Sequence, residues 1–301
     1  MAPQMGPESG QVLVIGVAVV DYVFYMDRFP QAAEKYRAHD AWVVGGGCGA
    51  NAAVAIARLG GAAHLSARLG ADATAGMILA DLRAEGVDVS LCDQSGARSS
   101  CSSILIDAAG ERQIVNFRGA GLTEEVDHIA GAPAVGAVLA DTRWSKGAIA
   151  AMELAQARGV PGVLDVEAGA DPAVLGPATH AAFSLQGLAD LVPGDPDAAL
   201  ARVVADHGGW ACVTLGADGV LWRDASGEGH VPSPRVDVLD TLGAGDVWHG
   251  AFALRLSEGA SETEAIRFAN AVAALKCTRP GGRAGTPDRA ETQDFLKGWT
   301  V

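Results

Sequence analysis

Short β-branched and apolar runs alternate with Ala- and Leu-rich amphipathic stretches along the chain. VLVIGVAVV (12–20) is followed by AAVAIARLG (52–60), AAHLSARLG (62–70) and AGMILADLRAEG (75–86), and later AVLAD (137–141) by GAIAAMELAQARG (147–159) and VPGVLDV (160–166). This βαβ rhythm predicts a doubly wound, mostly parallel α/β sheet flanked by helices, because parallel strands need helical crossovers and bury both faces. Ligands are then expected at the carboxyl ends of the strands.

Two stretches break the rhythm. Residues 22–44 and 98–118 are strand-like but interrupted by polar residues, with a hairpin turn expected at Ala108–Gly110. They are expected to pair into a small β-strand lid outside the main sheet, or to form plain surface hairpins. No repeat or low-complexity linker divides the chain, so residues 1–301 read as a single domain with this insertion.

Charge narrows the partners. There are 22 Lys+Arg against 36 Asp+Glu, a net charge of −14, and such a surface repels phosphate backbones and anionic lipid. Neither nucleic acid nor a membrane surface is expected as a partner; a small anion can still bind where basic residues converge in a cleft. The five cysteines, Cys48, Cys92, Cys101, Cys212 and Cys277, form no Cys-x-x-Cys pair and read as reduced thiols. The start, MAPQMGPESG, lacks the basic and apolar regions of a signal peptide and reads as a tail on a cytoplasmic protein. Histidines such as His64 and His249 are expected to serve packing or surface roles.

The segment VLDTLGAGDVWHGAFALRLSEG (238–259) carries the clearest chemistry. Gly243, Ala244 and Gly245 stand just ahead of a helical run, so their N–H groups and the helix N-terminus make an anion site. Asp246 follows, where a general base is needed if the anion is a phosphoryl group meeting a hydroxyl. A glycine-rich turn capped by Asp246 is the structural alternative.

This segment resembles the second signature of the ribokinase-like (PfkB) family of carbohydrate kinases, and GGCGANAAVAIARLG (46–60) resembles the first. The resemblance implies the ribokinase-like fold, a sugar substrate, and ATP with Mg2+. It implies that Asp246 is the base and that the amides of Gly243 to Asp246 hold the transferring phosphate. Asp21, ending the opening strand, and Gly46, Gly47 and Asn51 are implied to bind the sugar. Thr214, Gly216 and Gly219 of VTLGADGV (213–220), which is similar to the family's nucleotide-binding strand and turn, are implied to lie near ATP, and Asn270 is implied as the direct neighbour of adenine. Where many relatives carry Asn-x-x-Glu to organise Mg2+, this chain has Ser184-Leu185-Gln186-Gly187, which leaves the metal's protein contacts open.

EKYRAHD (34–40), IVNFR (114–118) and ADTRWSKGA (140–148) resemble the branch that phosphorylates 6-deoxy-6-sulfofructose, with Lys35, Asn116 and Arg143 at the positions that hold the sulfonate. Arg and Lys with a neutral amide suit a tetrahedral anion. The expected function is γ-phosphate transfer from ATP to a primary hydroxyl, at C1, of that ketose. A ketohexokinase-like or ribokinase-like kinase of an uncharged sugar is the alternative. More remote are a non-catalytic sugar sensor and a dinucleotide-binding oxidoreductase, the latter suggested by Gly45-x-Gly47-x-x-Ala50 with Asp72 further on. The lid strands are also expected to be able to pair two chains into a homodimer.

Overall fold

The computed structural model describes residues 8–299. Residues 1–7 of the expected tail lie outside these, and Glu8–Gly10 form a turn into the first strand. The amino-terminal half runs β1 (Gln11–Ile15), β2 (Val19–Tyr25), β3 (Asp40–Gly46), α1 (Cys48–Arg58), β4 (Ala62–Ser66), β5 (Arg68–Gly70), α2 (Ala73–Ala84), β6 (Asp93–Gly96), β7 (Cys101–Ile106), β8 (Arg112–Phe117) and α3 (Asp127–Ala130). There follow β9 (Ala137–Asp141), α4 (Ser145–Arg158), β10 (Gly162–Val166), β11 (His180–Ser184), α5 (Leu185–Leu191), α6 (Pro196–His207) and β12 (Trp210–Thr214). The chain closes with β13 (Val220–Arg223), β14 (Glu228–Val231), α7 (Ala244–Ser257), α8 (Glu262–Cys277) and α9 (Arg289–Gly298).

Eight strands form one sheet in the order β14-β13-β12-β11-β10-β9-β1-β4. It is parallel from β12 to β4, and β13 and β14 join antiparallel. Its central strands β1, β9, β10, β11 and β12 are buried on both faces because both are covered. On β1, Val12 and Val14 pack with α1, α2, α7 and α8, while Leu13 and Ile15 pack with α4, α5 and α6. This is the three-layered ribokinase-like α/β architecture that the alternation predicts.

The run 12–20 is two strands rather than one. Asp141, at the end of β9, accepts a hydrogen bond from the Val17 N–H (2.7 Å), which draws the chain off the sheet after Ile15. Asp21 therefore belongs to β2, in a second sheet, and does not end the opening core strand. That second sheet has the order β3-β2-β7-β8, drawn from the two stretches that break the rhythm. The β7–β8 turn is held by the Asp107 carboxylate, which accepts from the N–H groups of Ala109 (2.9 Å) and Glu111 (3.0 Å).

Candidate active site

Two cavities open along the carboxyl edge of the large sheet. The first, of about 420 Å³, lies between the small sheet and the ends of β1 and β9, and the second, of about 390 Å³, lies beside β12, β13 and α8. They share one wall: Leu242, Gly243 and Asp246 face the first, Ala244 and Gly245 the second. The first sits where strand order reverses, β1 having β4 on one side and β9 on the other, as expected for open α/β sheets.

Gly243 precedes α7 in the left-handed region (φ 72°). The Ala244 N–H is turned back onto the Thr241 carbonyl (3.2 Å), whereas the N–H groups of Gly245 and Asp246 have no partner among the described residues. Of the four amides expected, only that of Ala244 is diverted, the Gly243 N–H likewise having no partner among the described residues. These free donors and the positive end of the fourteen-residue α7 lie at the junction of the cavities.

Asp246 is half-buried, and its Oδ2 accepts from Asn51 Nδ2 at 2.7 Å. Gly250 makes this contact possible: a Cβ there would collide with the Ala52 carbonyl of α1, so the two helices approach closely enough for Asn51 to reach Asp246. Asn51 Oδ1 in turn accepts from Arg283 Nη1 (3.4 Å), which fixes the amide orientation, and Arg283 is ion-paired with Asp81. Burial raises the Asp246 pKa above the ordinary carboxylate value and Glu167 adds to this, against hydrogen bonds from Asn51 and Cys48 and the charge of Arg143. A base must be ionised, so kcat/KM falls on acidification with a midpoint above that of an ordinary carboxylate. Asn51→Ala removes a donor to the ionised form and moves this limb to higher pH; a pH profile unchanged by the substitution would refute the coupling.

Acids that sequence patterning did not single out form the floor. Asp141 accepts from the N–H groups of Val17, Gly49 (3.0 Å) and Arg143 (3.0 Å), and burial pushes its pKa up to about 6. Ligand atoms of Cys48, Asp165 and Asp246 lie within 4.8 Å of one another. His249, one turn beyond Asp246, is buried with Nδ1 at 3.6 Å from Asp165 Oδ1, and burial pushes its pKa down to about 4, so it is neutral at pH 7. Glu167, just past β10, is ion-paired with Arg143. The available signal was position: each acid stands at the carboxyl end of a parallel strand.

Among the residues expected to bind sugar, Asp21, Gly47, Asn51, Asn116 and Arg143 line the first cavity, while Gly46 lies under the Asp21 carboxylate and off the wall. Asn116 donates to Ser102 Oγ (2.9 Å). Lys35 does not join them: it is exposed in the loop between β2 and β3 and is not part of the wall. Two unexpected cations are, Arg68 and Arg118, with the Arg68 guanidinium 4.7 Å from the Trp144 ring centroid.

Thr214, Gly216, Gly219 and Asn270 line the second cavity. Asn270 is not free to bind a base with its amide: Oδ1 accepts from Trp248 Nε1 (2.7 Å) and Nδ2 donates to the carbonyls of Pro232 (3.0 Å) and Val231 (3.3 Å). It shapes the wall instead. The dinucleotide fingerprint has no counterpart in the geometry, because Gly45 lies within a strand of the small sheet and Asp72 caps α2 and binds Ser99.

At the Asn-x-x-Glu position, Ser184 caps α5 by accepting from the Gly187 N–H (3.0 Å). A side chain at 187 would collide with the Val166 carbonyl. The backbone that occupies that space carries Glu167, so an acid reaches this end of the cleft from the neighbouring strand.

A pfkB family carbohydrate kinase model matches residues 9–289. The chain is 30% identical to the ribokinase of Bacillus subtilis (strain 168) over 295 residues, covering 95% of this chain and 99% of the relative. It is 30% identical to fructokinase-1 of Oryza sativa subsp. japonica over 287 residues, 84% of this chain and 88% of that protein. Among solved structures, Thermotoga maritima ribokinase superposes with TM-score 0.84 at 25% identity, covering 95% of this chain and 99% of the other. Arabidopsis thaliana ribokinase complexed with ribose and ATP gives 0.85 at 24% identity, covering 96% and 99%.

Proposed function

The chain belongs to the pfkB family of carbohydrate kinases, and from that premise we propose that it transfers the γ-phosphate of ATP to the C1 hydroxyl of a ketose bearing an anion at its far end, 6-deoxy-6-sulfofructose being the best fit. The observation carrying the anionic substrate is the gathering of Arg68, Arg118 and Arg143 with Asn116 on the wall of one cavity in a chain whose net charge is −14. Guanidinium forks match a tetrahedral anion; Arg68 and Arg143 also have carboxylate partners, Glu124 and Glu167, so Arg118 is the cation that an uncharged sugar leaves without one.

In this reading the sugar occupies the first cavity, with its reacting hydroxyl beside Asp246 and its hydroxyls against Asp21 and Asn51. ATP occupies the second, against Thr214, Gly216 and Gly219, so that its γ-phosphate meets the N–H groups of Gly245 and Asp246. Asp246 takes the hydroxyl proton as the new P–O bond forms and the bond to ADP breaks. Both reactants are held in line, which supplies much of the rate because phosphoryl transfer asks little covalent chemistry of the protein. Strands β2, β3, β7 and β8 act as a lid that excludes water and limits ATP hydrolysis.

The enzyme uses ATP with Mg2+, and the donor set fits the metal. Four carboxylates, Asp141, Asp165, Glu167 and Asp246, face one another with Arg143 as the nearby cation, so a triphosphate needs added positive charge to enter. Hard oxygen donors suit Mg2+, which keeps most of its waters; Asp165 and Glu167 would hold it, while the Cys48 thiol, its pKa raised by burial, would not. When bound, the ion neutralises charge on the transferring phosphate.

Among the described residues no helix is long and apolar enough to cross a membrane, and a cytoplasmic site of action is part of the same reading. Exposed Trp42, Val43, Ile114 and Val115 on the edge strands β3 and β8 favour a homodimer joined through the lid. A second substrate reading, an uncharged pentose or hexose, is favoured by relatives named ribokinase and fructokinase. Phosphorus–proton NMR of the product formed from ATP and 6-deoxy-6-sulfofructose is expected to show coupling to the C1 methylene protons; phosphate on a secondary carbon would overturn the assignment.

A further inference from the structure

Lys276 is fully buried in the last turn of α8, an unusual place for an ammonium group. Its Nζ donates to the Asp240 backbone carbonyl at 2.8 Å and lies 3.5 Å from Asp240 Oδ2. The same residue is gripped from every side. Its Oδ1 accepts from the Leu242 N–H (2.8 Å), its Oδ2 from the Gly282 N–H (2.9 Å), and Arg112 at the start of β8 approaches Oδ1 at 3.3 Å. The backbone N–H groups of Leu239 (2.8 Å) and Asp240 (3.1 Å) both donate to the Cys277 carbonyl at the end of α8.

Asp240 begins the segment that becomes the anion site. Two residues on is Leu242, and Gly243, Ala244, Gly245 and Asp246 follow directly. Burial works against the Asp240 charge, yet the Gly282 and Leu242 amides together with Lys276 and Arg112 hold its pKa below the ordinary value. Burial lowers the Lys276 pKa against the pull of Asp240. An apolar side chain of similar length would fill the same space without the desolvation penalty of a buried ion. What the ammonium adds is a fixed positive charge beneath a loop that must hold its amides in place while a highly charged phosphate moves past them.

We propose that Lys276 is a built-in monovalent cation for the phosphate loop: its ammonium neutralises Asp240 and fixes the 240–246 segment, so that no dissolved monovalent cation is needed to order it. Lys276 is a positioning residue acting through Asp240, and Arg112 ties the lid to the same carboxylate. This rests on the assignment of the Gly245 and Asp246 amides to the transferring phosphate.

The test is chemical rescue. Wild-type kcat is expected to be the same in potassium chloride and in choline chloride of equal ionic strength. Lys276→Ala is expected to lower kcat by about 10²-fold, the scale of a misplacement on the order of 1 Å, with the KM for sugar changed far less. It leaves a carboxylate and a carbonyl facing a cavity of ammonium size, and ammonium, methylammonium or potassium ions are expected to restore most of the loss with a saturable dependence. Lys276→Gln, which preserves a donor and most of the volume but not the charge, is measured alongside in case the alanine variant does not fold. A folded variant with wild-type kcat, a folded variant that no cation rescues, or a wild type that itself requires potassium would each overturn the proposal. Wild-type turnover in the same assay separates these failures from failure of the anion-site assignment, which would instead appear as wild-type kcat in a folded Gly245→Pro variant, where one of the two assigned N–H groups is removed.

Discussion

Asp246→Asn is expected to lower kcat by about 10²–10⁴-fold, the range for removing a general base, with no loss of thermal stability. The substitution is nearly isosteric, and its neutral amide stands on the wall between the two cavities without the burial penalty that raises the Asp246 pKa. The Asn51 contact at 2.7 Å can persist to the new carbonyl oxygen. Substrate and nucleotide affinities are therefore expected to hold within a few-fold, which distinguishes loss of the base from collapse of the anion site. A variant with near-wild-type kcat would remove Asp246 from the chemistry. A variant that melts well below the wild type would show that the carboxylate serves the helix start.

The second large effect concerns the far end of the substrate. A hydrogen bond to a charged group contributes about 1.5–3 kcal/mol, so losing one guanidinium contact to the sulfonate should cost about one to two decades in kcat/KM. Arg118→Ala is the cleaner experiment, because Arg118 has no ion-pair partner among the described residues, whereas Arg143 is already paired with Glu167. Both variants are expected to lose activity on 6-deoxy-6-sulfofructose, and Arg118→Ala is expected to change little on fructose. For Arg143→Ala a further loss common to both sugars is expected, since Glu167 is left without its partner close to the transferring phosphate. Equal losses on both sugars in Arg118→Ala would deny that the arginines read the anion.

Periodicity made the three layers legible because strands buried on both faces and helices packed on them leave strong, distinct patterns. It could not show where one apolar run changes sheets: VLVIGVAVV is uniformly apolar, and the break after Ile15 is dictated by Asp141, distant in sequence. The signature segment placed Asp246 at the cavity junction, since a glycine-rich helix start is a local feature. Lys35 was misplaced because side-chain direction in a long, exposed loop is not encoded in local pattern. Asn270 looked available for a base until its packing against Trp248 and the carbonyls after β14 was visible. The acid at Glu167, whose backbone lies against Gly187, is legible only when two adjacent strands are seen side by side.

The most direct measurement is the ratio of wild-type kcat/KM values for 6-deoxy-6-sulfofructose and fructose, two ketoses that differ at the far end, with ATP held saturating. With Arg68, Arg118, Arg143 and Asn116 reading that end, the sulfonated sugar is expected to be favoured by at least about tenfold, equivalent to about 1.4 kcal/mol. A ratio near one, or a preference for fructose, would contradict the account and leave a kinase of uncharged sugars.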